Sequence, residues 1–154
     1  MLDITAKDIM TKKVHTVRPK TTVKELAKFF LKHKISGAPV VDERGTVVGI
    51  VTEEDLIFRD ASVHLPTVVT LFDAVIYLES SKKTEQELLK IVGQKVSDIM
   101  TKKVVLISPA TSIQEMATIM HEKHCHVLPV VEAGKLKGVV GKADLVRAIA
   151  LEEA

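Results

Sequence analysis

The chain has few aromatic residues and no tryptophan, and aromatic residues make up only 3% of its 154 residues. It therefore offers few rings on which exposed nucleic-acid bases could stack. Neither sign of charge is in clear excess, because 22 lysines and arginines stand against 20 aspartates and glutamates, a formal net charge of +2. From this balance we do not expect nucleic acid as a partner.

Cysteine and long apolar segments are also scarce. The single cysteine, Cys125, cannot form a disulfide within the chain, which favours a reducing compartment such as the cytoplasm. The N-terminus has no basic region followed by an apolar core, so no signal peptide is predicted. The most apolar stretch, residues 63–78, contains His64, Pro66 and Asp73 and is short for a bilayer span. We expect a soluble cytoplasmic protein with no membrane partner.

Catalytic motifs are missing too. The sequence has no Ser/His/acid or Cys/His set in the pattern of a catalytic triad, and it has no Gly-x-x-x-x-Gly-Lys phosphate loop. We therefore predict no enzyme activity. The only metal-like cluster comprises His121, His124, Cys125 and His126. We expect a helix to end between His121 and His124, and the following strand to send Cys125 and His126 to opposite sides. No metal site is predicted, because zinc needs about four converging ligands.

Internal repetition is what the sequence does have. Residues 8–14, Asp-Ile-Met-Thr-Lys-Lys-Val, recur letter for letter at 98–104, an offset of 90 (98 minus 8). The same offset aligns residues 39–41 with 129–131, and it falls to 89 (138 minus 49) at Gly49 and Gly138. Such a duplication predicts two structural repeats.

The pattern of the first repeat predicts a βαββα unit. A one-turn helix through Met10 and a short strand at 14–17 precede a helix with the capping box Thr22-x-x-Glu25. A hairpin formed by 39–41 and 47–51 follows, and then a helix from Asp55. Helical spacing predicts that the long helix buries Val23, Leu26, Ala27, Phe30 and Leu31.

The second repeat has the same order of elements. A strand at 104–107 precedes a helix with the motif Ser112-x-x-Glu115, and a hairpin of 129–131 and 136–140 leads to a helix from Asp144. Helical spacing predicts that its long helix buries Ile113, Met116, Ala117 and Met120.

These units give an α/β (α+β) fold in which two βαββα repeats pack with pseudo-twofold symmetry. A unit of about 50 residues buries too little surface to be stable on its own, so the two copies should pack on each other and form two equivalent clefts. We place the first repeat at 1–60, an apolar, partly helical insert at 61–90 and the second repeat at 91–154. The insert is too apolar to be exposed, and we expect it to pack on the domain or on a partner subunit.

One short motif closes the hairpin of each repeat. In the first, Thr52-x-x-Asp55 places a hydroxyl and a carboxylate where a strand passes into a helix. The pair fits a capping box at a helix N-terminus. It also fits a site where the carboxylate accepts hydrogen bonds from a vicinal diol such as a ribose. The second repeat has Gly141 in place of the threonine but keeps Asp144, which favours a role for the acid beyond capping.

Taken in order and present twice, these motifs resemble a tandem pair of cystathionine-β-synthase (CBS) domains, also called a Bateman module. The resemblance rests on Asp-Ile-Met-Thr at 8–11 and 98–101, on residues 35–41, and on residues 49–55 with their counterparts. It implies a regulatory, non-catalytic sensor of AMP, ADP, ATP or S-adenosylmethionine, with no required cofactor and with pairing into a homodimer. The alternative is a scaffold or dimerisation module without a ligand. Either form would act on a regulated partner protein.

The resemblance also implies binding residues. In the first cleft Asp55 would hold the ribose hydroxyls and Thr52 the ribose or first phosphate, while the adenine would be bordered by Ser36, Gly37, Ala38 and Pro39. In the second cleft Asp144 would keep the ribose role and His126 would be a pH-sensitive phosphate contact, while the base would be lined by Val127, Leu128 and Pro129. Gly141 departs from the family pattern and lacks one hydroxyl, so we expect the second cleft to be weaker, empty or selective for another ligand.

The Lys-Lys pairs at 12–13 and 102–103 allow two interpretations. Each pair follows a one-turn helix, where lysines suit the negative end of the helix dipole in a solvated turn. Alternatively, the four lysines edge the clefts and attract polyphosphate.

Overall fold

The two repeats form matching sets of helices and strands. The computed structural model describes residues 3–58 and 94–152. The first repeat contains α1 (Ala6–Ile9), α2 (Val23–His33), β1 (Gly37–Val41), β2 (Val47–Thr52) and α3 (Glu53–Phe58). The second contains α4 (Val96–Ile99), α5 (Ile113–Lys123), β3 (Val127–Glu132), β4 (Lys135–Gly141) and α6 (Lys142–Glu152). The insert predicted at 61–90 lies outside the described residues.

The hairpins are confirmed, but the predicted strands before the long helices are wrong as strands. β1 pairs antiparallel with β2, and β3 with β4. The stretches 14–17 and 104–107 contribute single parallel bridges instead, from Val17 to Val40 and from Ile107 to Val130. Each stretch meets a proline two residues later, and proline has no N–H with which to extend the pairing.

The long helices begin where the sequence predicts. Thr22 Oγ1 accepts the Glu25 N–H at 3.2 Å and Glu25 Oε2 accepts the Thr22 N–H at 3.0 Å, so this capping box is complete. Two predictions on the buried faces are wrong. Leu31 is 70% exposed, because it lies at the edge of the apolar stripe, about 80° from Val23 around the helix. Ala117 is exposed because it borders a groove between α5 and α6.

Each one-turn helix packs on the other repeat. The turn of α1 joins the second repeat, where Ala6 N–H donates to Thr111 O at 2.8 Å and Lys7 N–H to Pro109 O at 2.9 Å. The turn of α4 joins the first repeat through Val96 N–H to Thr21 O at 2.7 Å. The duplicated Asp-Ile-Met-Thr motif therefore connects the repeats by exchange, which the sequence pattern does not predict.

Each apolar core contains this exchanged turn. The core under β1 and β2 includes Val96, Ile99 and Met100 of the second repeat, and the core under β3 and β4 includes Ala6 of the first. Since each core is completed by the other repeat, neither is independent.

The exchange also accounts for two equivalent glycines of the hairpins, Gly49 and Gly138. A Cβ at Gly49 would lie 2.5 Å from Met100 Sδ and 3.2 Å from Thr101 O. A Cβ at Gly138 would lie 2.6 Å from Met10 Sδ. Glycine is required at both positions because a methionine of the exchanged turn lies directly on the strand.

Candidate ligand cleft

A cleft of about 610 Å³ opens between the repeats at the end of β2. Pockets that hold small molecules have volumes of about 300–1,000 Å³. Its lining comes from both repeats: Ile50, Thr52, Glu54, Asp55, Thr101, Lys103, Val104, Val105, Lys123, Cys125, His126 and Val127. The cleft combines an apolar wall with carboxylates and several basic side chains.

The carboxylate of Asp55 is held at the junction of β2 and α3. Its Oδ2 accepts the Thr52 backbone N–H at 2.8 Å, and the Thr52 hydroxyl donates to the same oxygen at 3.4 Å. The first bond has ordinary length and the second is long. The side chain is half-buried, so it is fixed by the helix start and still borders the cleft.

The second repeat shows what the threonine adds. Asp144 Oδ2 accepts the Gly141 N–H at 2.8 Å, the same bond as at Asp55 without any hydroxyl. The aspartate therefore needs only a backbone donor, which any residue but proline supplies. Persistence of the acid beside Gly141 is thus explained by local structure, and it does not by itself favour ligand binding.

Basic side chains enter the cleft from three places. Lys103 belongs to the duplicated motif. It is one of the lining residues, so the prediction that this lysine edges a cleft is confirmed. Lys123 ends α5 and His126 precedes β3. The chain crosses from one repeat to the other at this point, because Thr101 is hydrogen-bonded in both directions to Ile50 of β2, at 2.9 and 3.0 Å. The exchanged turn therefore brings Lys103 of the second repeat to the cleft that Asp55 of the first repeat borders.

The lining differs from the grouping expected from the sequence. Thr52 and Asp55 share their cleft with His126 and Val127 of the second repeat. Ser36, Gly37, Ala38 and Pro39 are not among its lining residues, and both Ala38 and Pro39 are buried in β1. Ser36 O accepts the Glu53 N–H at 2.9 Å and so supports the start of α3.

The other residues predicted for the second cleft are not among the residues that line the Asp55 cleft either. Leu128 and Pro129 are fully buried in β3 and do not line the Asp55 cleft. Asp144 is 15% exposed and pairs with Arg147, Nη1 to Oδ1 at 3.3 Å. Sequence reasoning missed Lys123 and Val105 as cleft residues. Both belong to the second repeat, and periodicity within one repeat does not reveal that they line the same cleft as Asp55.

The predicted alternation of Cys125 and His126 is wrong. β3 begins at Val127, so neither residue is in the strand, and both line the cleft. Partial burial raises the pKa of the Cys125 thiol, which keeps it protonated at neutral pH. The end of α5 before His124 is confirmed, with His124 in the left-handed conformation at φ 52°. Within 3–58 and 94–152, no three His, Cys, Asp or Glu side chains are grouped to hold a metal ion.

A second groove, of about 400 Å³, lies between α5 and α6. It is bordered by His121, His124 and His126 together with apolar side chains that include Val146 and Ile149. These two residues are 60% and 52% exposed.

None of the helices in the described part of the chain is long and apolar enough to span a bilayer.

The CBS domain family matches residues 6–62 and 96–151 of the chain. The chain belongs to this family. A CBS repeat pair therefore accounts for the duplicated motifs and for the two small sheets. Among related sequences, the chloroplastic CBS domain-containing protein CBSX2 of Arabidopsis thaliana is 34% identical over 152 residues, covering 94% of this chain and 63% of CBSX2. This chain thus spans under two thirds of that relative.

Other relatives match over most of their own length. Uncharacterized protein MJ1426 of Methanocaldococcus jannaschii is 33% identical over 153 residues, covering 93% of this chain and 89% of that protein. Among solved structures, CBSX2 in complex with AMP superposes with a TM-score of 0.72 and 27% identity, covering 97% of this chain and 98% of that chain. The CBS-domain containing protein ATU1752 from Agrobacterium tumefaciens gives a TM-score of 0.73 and 28% identity, covering 95% and 99%. The paired-repeat fold is thus that of these CBS proteins.

Proposed function

We propose that the chain is a regulatory sensor that binds an adenosine nucleotide in the Asp55 cleft and has no catalytic activity. The observation that carries the proposal is the composition of this cleft, in which a fixed carboxylate, an apolar wall and three basic side chains face one space. Each of these groups fits one part of a nucleotide.

The carboxylate suits the sugar. Asp55 lies just after the carboxyl end of β2 and borders the cleft, a carboxylate is the kind of acceptor that ribose hydroxyls use, and Thr52 adds a hydroxyl beside it. The apolar wall formed by Ile50, Val104 and Val127 suits the flat adenine.

The basic side chains suit the phosphate. Lys103, Lys123 and His126 line the same cleft, and ammonium and imidazole groups donate charge-assisted hydrogen bonds to phosphate oxygens. The likeness to CBSX2, which has been crystallised with AMP, supports the same ligand class. Binding would act by population shift, because a ligand that prefers one packing of the two repeats changes the surface presented to a partner.

Thermal melting of the purified, nucleotide-stripped protein tests the proposal. The panel comprises AMP, ADP, ATP, S-adenosylmethionine and, as the control, GMP. At about a hundred times the dissociation constant one site adds roughly 2.7 kcal/mol, or several degrees of melting temperature. A shift with an adenosine compound and none with GMP is expected. A flat panel from a folded protein would contradict the proposal.

The exposed apolar residues favour a second candidate, a homodimeric scaffold. Leu31 on α2, Ile57 on α3 and Leu151 on α6 are 70%, 52% and 69% exposed, and Val146 and Ile149 border the groove between α5 and α6. Apolar side chains on several helices are typical of a protein–protein interface. Sedimentation of Ile149→Glu tests this. A dimer that becomes monomeric supports the interface, and an unchanged mass contradicts it. A flat nucleotide panel from a dimer would favour the scaffold alone.

A further inference from the structure

The acid that precedes Asp55 gives the Asp55 cleft a second carboxylate. Glu54 belongs to the first turn of α3, as Asp55 does, and both residues line the cleft. Two lysines, Lys103 and Lys123, line the same space. With histidine counted as neutral, the formal charges of the lining therefore cancel, two negative against two positive. The cleft offers ammonium groups to a phosphate but has no excess of positive charge.

The second repeat shows that the helix start does not require Glu54. The equivalent residue is Ala143, at an offset of 89 (143 minus 54). α6 nevertheless begins at this turn, and Asp144 accepts the Gly141 N–H at 2.8 Å. An acid in the first turn adds only the general preference of helix N-termini for negative charge. A neutral side chain at position 54 is thus compatible with the fold.

The charged side chains of the cleft are open to a ligand. Glu54, Lys103 and Lys123 are exposed. Within the described residues, none of these three side chains forms an ion pair or a side-chain hydrogen bond. A bound anion would therefore meet two free ammonium groups and one free carboxylate of its own sign. Because the groups reach solvent, their interactions with an anion are screened and sensitive to salt.

This balance of charge favours a ligand with a single phosphate. The phosphate of AMP carries about two negative charges, which two lysines can match. The additional phosphoryl groups of ATP bring negative charge that no further lysine of the lining offsets. Of the duplicated Lys-Lys pairs only Lys103 lines this cleft, so the lining does not contain the four lysines that would attract a polyphosphate.

We propose that Glu54 makes the Asp55 cleft selective for AMP over ADP and ATP, by repelling the additional phosphoryl groups. This inference rests on the proposed function and deepens it by naming the ligand class that the cleft prefers. Glu54 acts through its charge, whereas Asp55 acts through hydrogen bonds to the ribose. ATP carries about twice the negative charge of AMP, so removing the charge of Glu54 should favour ATP by about twice the free energy.

Calorimetric titration of AMP and of ATP tests the inference. The buffer contains no magnesium, because the metal would offset part of the charge of ATP. The unsubstituted chain should bind AMP about three- to tenfold more tightly than ATP. Glu54→Gln should raise the affinity for AMP by at most about twofold and that for ATP by about fourfold, so the preference for AMP decreases.

Glu53→Gln is the matched control. It removes the same charge from the same helical turn, but Glu53 is not a lining residue of the cleft. The ratio of the two affinities should therefore stay as in the unsubstituted chain. If Glu54→Gln is unstable, the salt dependence of the unsubstituted chain gives a second test. Between about 0.05 M and about 0.3 M salt the affinity for ATP should change little, since the charges of the lining cancel.

The outcomes separate this inference from the proposed function. If the unsubstituted chain binds no adenosine compound, the proposed function fails. If it binds ATP as tightly as AMP, or if Glu54→Gln and Glu53→Gln change the ratio equally, this inference alone is overturned. A steep loss of ATP affinity with salt would likewise overturn it, because that loss is typical of a cleft with net positive charge.

Discussion

In the first repeat Thr52 and Asp55 stand where β2 passes into α3, whereas the second repeat has Gly141 and Asp144 at the same turn. Both aspartates accept a backbone N–H at 2.8 Å, and the threonine hydroxyl adds only a contact of 3.4 Å. The comparison separates two roles that the motif combines. The acid starts the helix in both repeats, and the differences between the clefts lie in the residues around it.

The largest expected effect concerns the glycines that receive the exchanged methionines. Gly49→Ala should destabilise the protein by about 1–3 kcal/mol, because the new methyl group overlaps Met100 and approaches Thr101 O. Urea unfolding of the double-mutant cycle formed by each glycine and a methionine measures the coupling energy between the two positions. Met100→Ala should partly rescue Gly49→Ala, and Met10→Ala should instead rescue Gly138→Ala. If the two methionines rescue the two glycines in the opposite pairing, the turns are not exchanged.

A smaller effect is expected at the helix starts. Asp55→Ala and Asp144→Ala should each cost about 0.5–1.5 kcal/mol, since each removes a carboxylate that accepts a backbone N–H in the first turn. Thr52→Ala should cost less, because its hydroxyl contact is long. Chemical denaturation compares the three variants. A loss for Thr52→Ala equal to that for Asp55→Ala would show that the hydroxyl is the principal cap.

The smallest effect is a difference in pH dependence. The folded-state pKa of His33 lies below its ordinary value of 6.5, since partial burial and neighbouring basic groups oppose its charge. The unfolded chain therefore binds the proton more readily than the folded chain. The contribution of neutral His33 to the free energy of unfolding is thus fully present above pH 6.5 and is lost as the pH falls through the folded-state pKa. His33→Asn should flatten the slope of melting temperature against pH, and His121→Asn should leave it unchanged. Equal slopes in all three proteins would show that His33 is not the source of the pH dependence.

Much of the secondary structure could be predicted, because it follows from local signals. The capping box at Thr22, the apolar spacing of α2 and the glycine turn of each hairpin act over a few residues. The same local rules placed Leu31 in the core, although its position on the stripe is marginal. They also extended 14–17 into a strand that Pro19 prevents.

The composition of the clefts could be predicted only in part. Motifs within the individual repeats predict Thr52 and Asp55 in the first repeat and Lys103 in the second. The structure brings all three to one cleft. The same cleft is also lined by Lys123, Val105 and His126 of the second repeat, whose exchanged turn is joined to β2 through Thr101 and Ile50. A letter-for-letter repeat cannot reveal such an exchange, since each copy of the turn would fit either partner equally well. The symmetry of the sequence conceals the choice.

The most direct test of the adenosine site is the affinity for AMP of Asp55→Asn beside that of Glu54→Gln. Both changes remove one negative charge from the same cleft, so their difference isolates the hydrogen bonds of Asp55 from its charge. Calorimetry should show Asp55→Asn weakening the tighter site by about ten- to a hundredfold and Glu54→Gln changing it little. Undiminished affinity in Asp55→Asn, or equal effects of the two variants, would contradict the assignment of Asp55 as the ribose-binding residue.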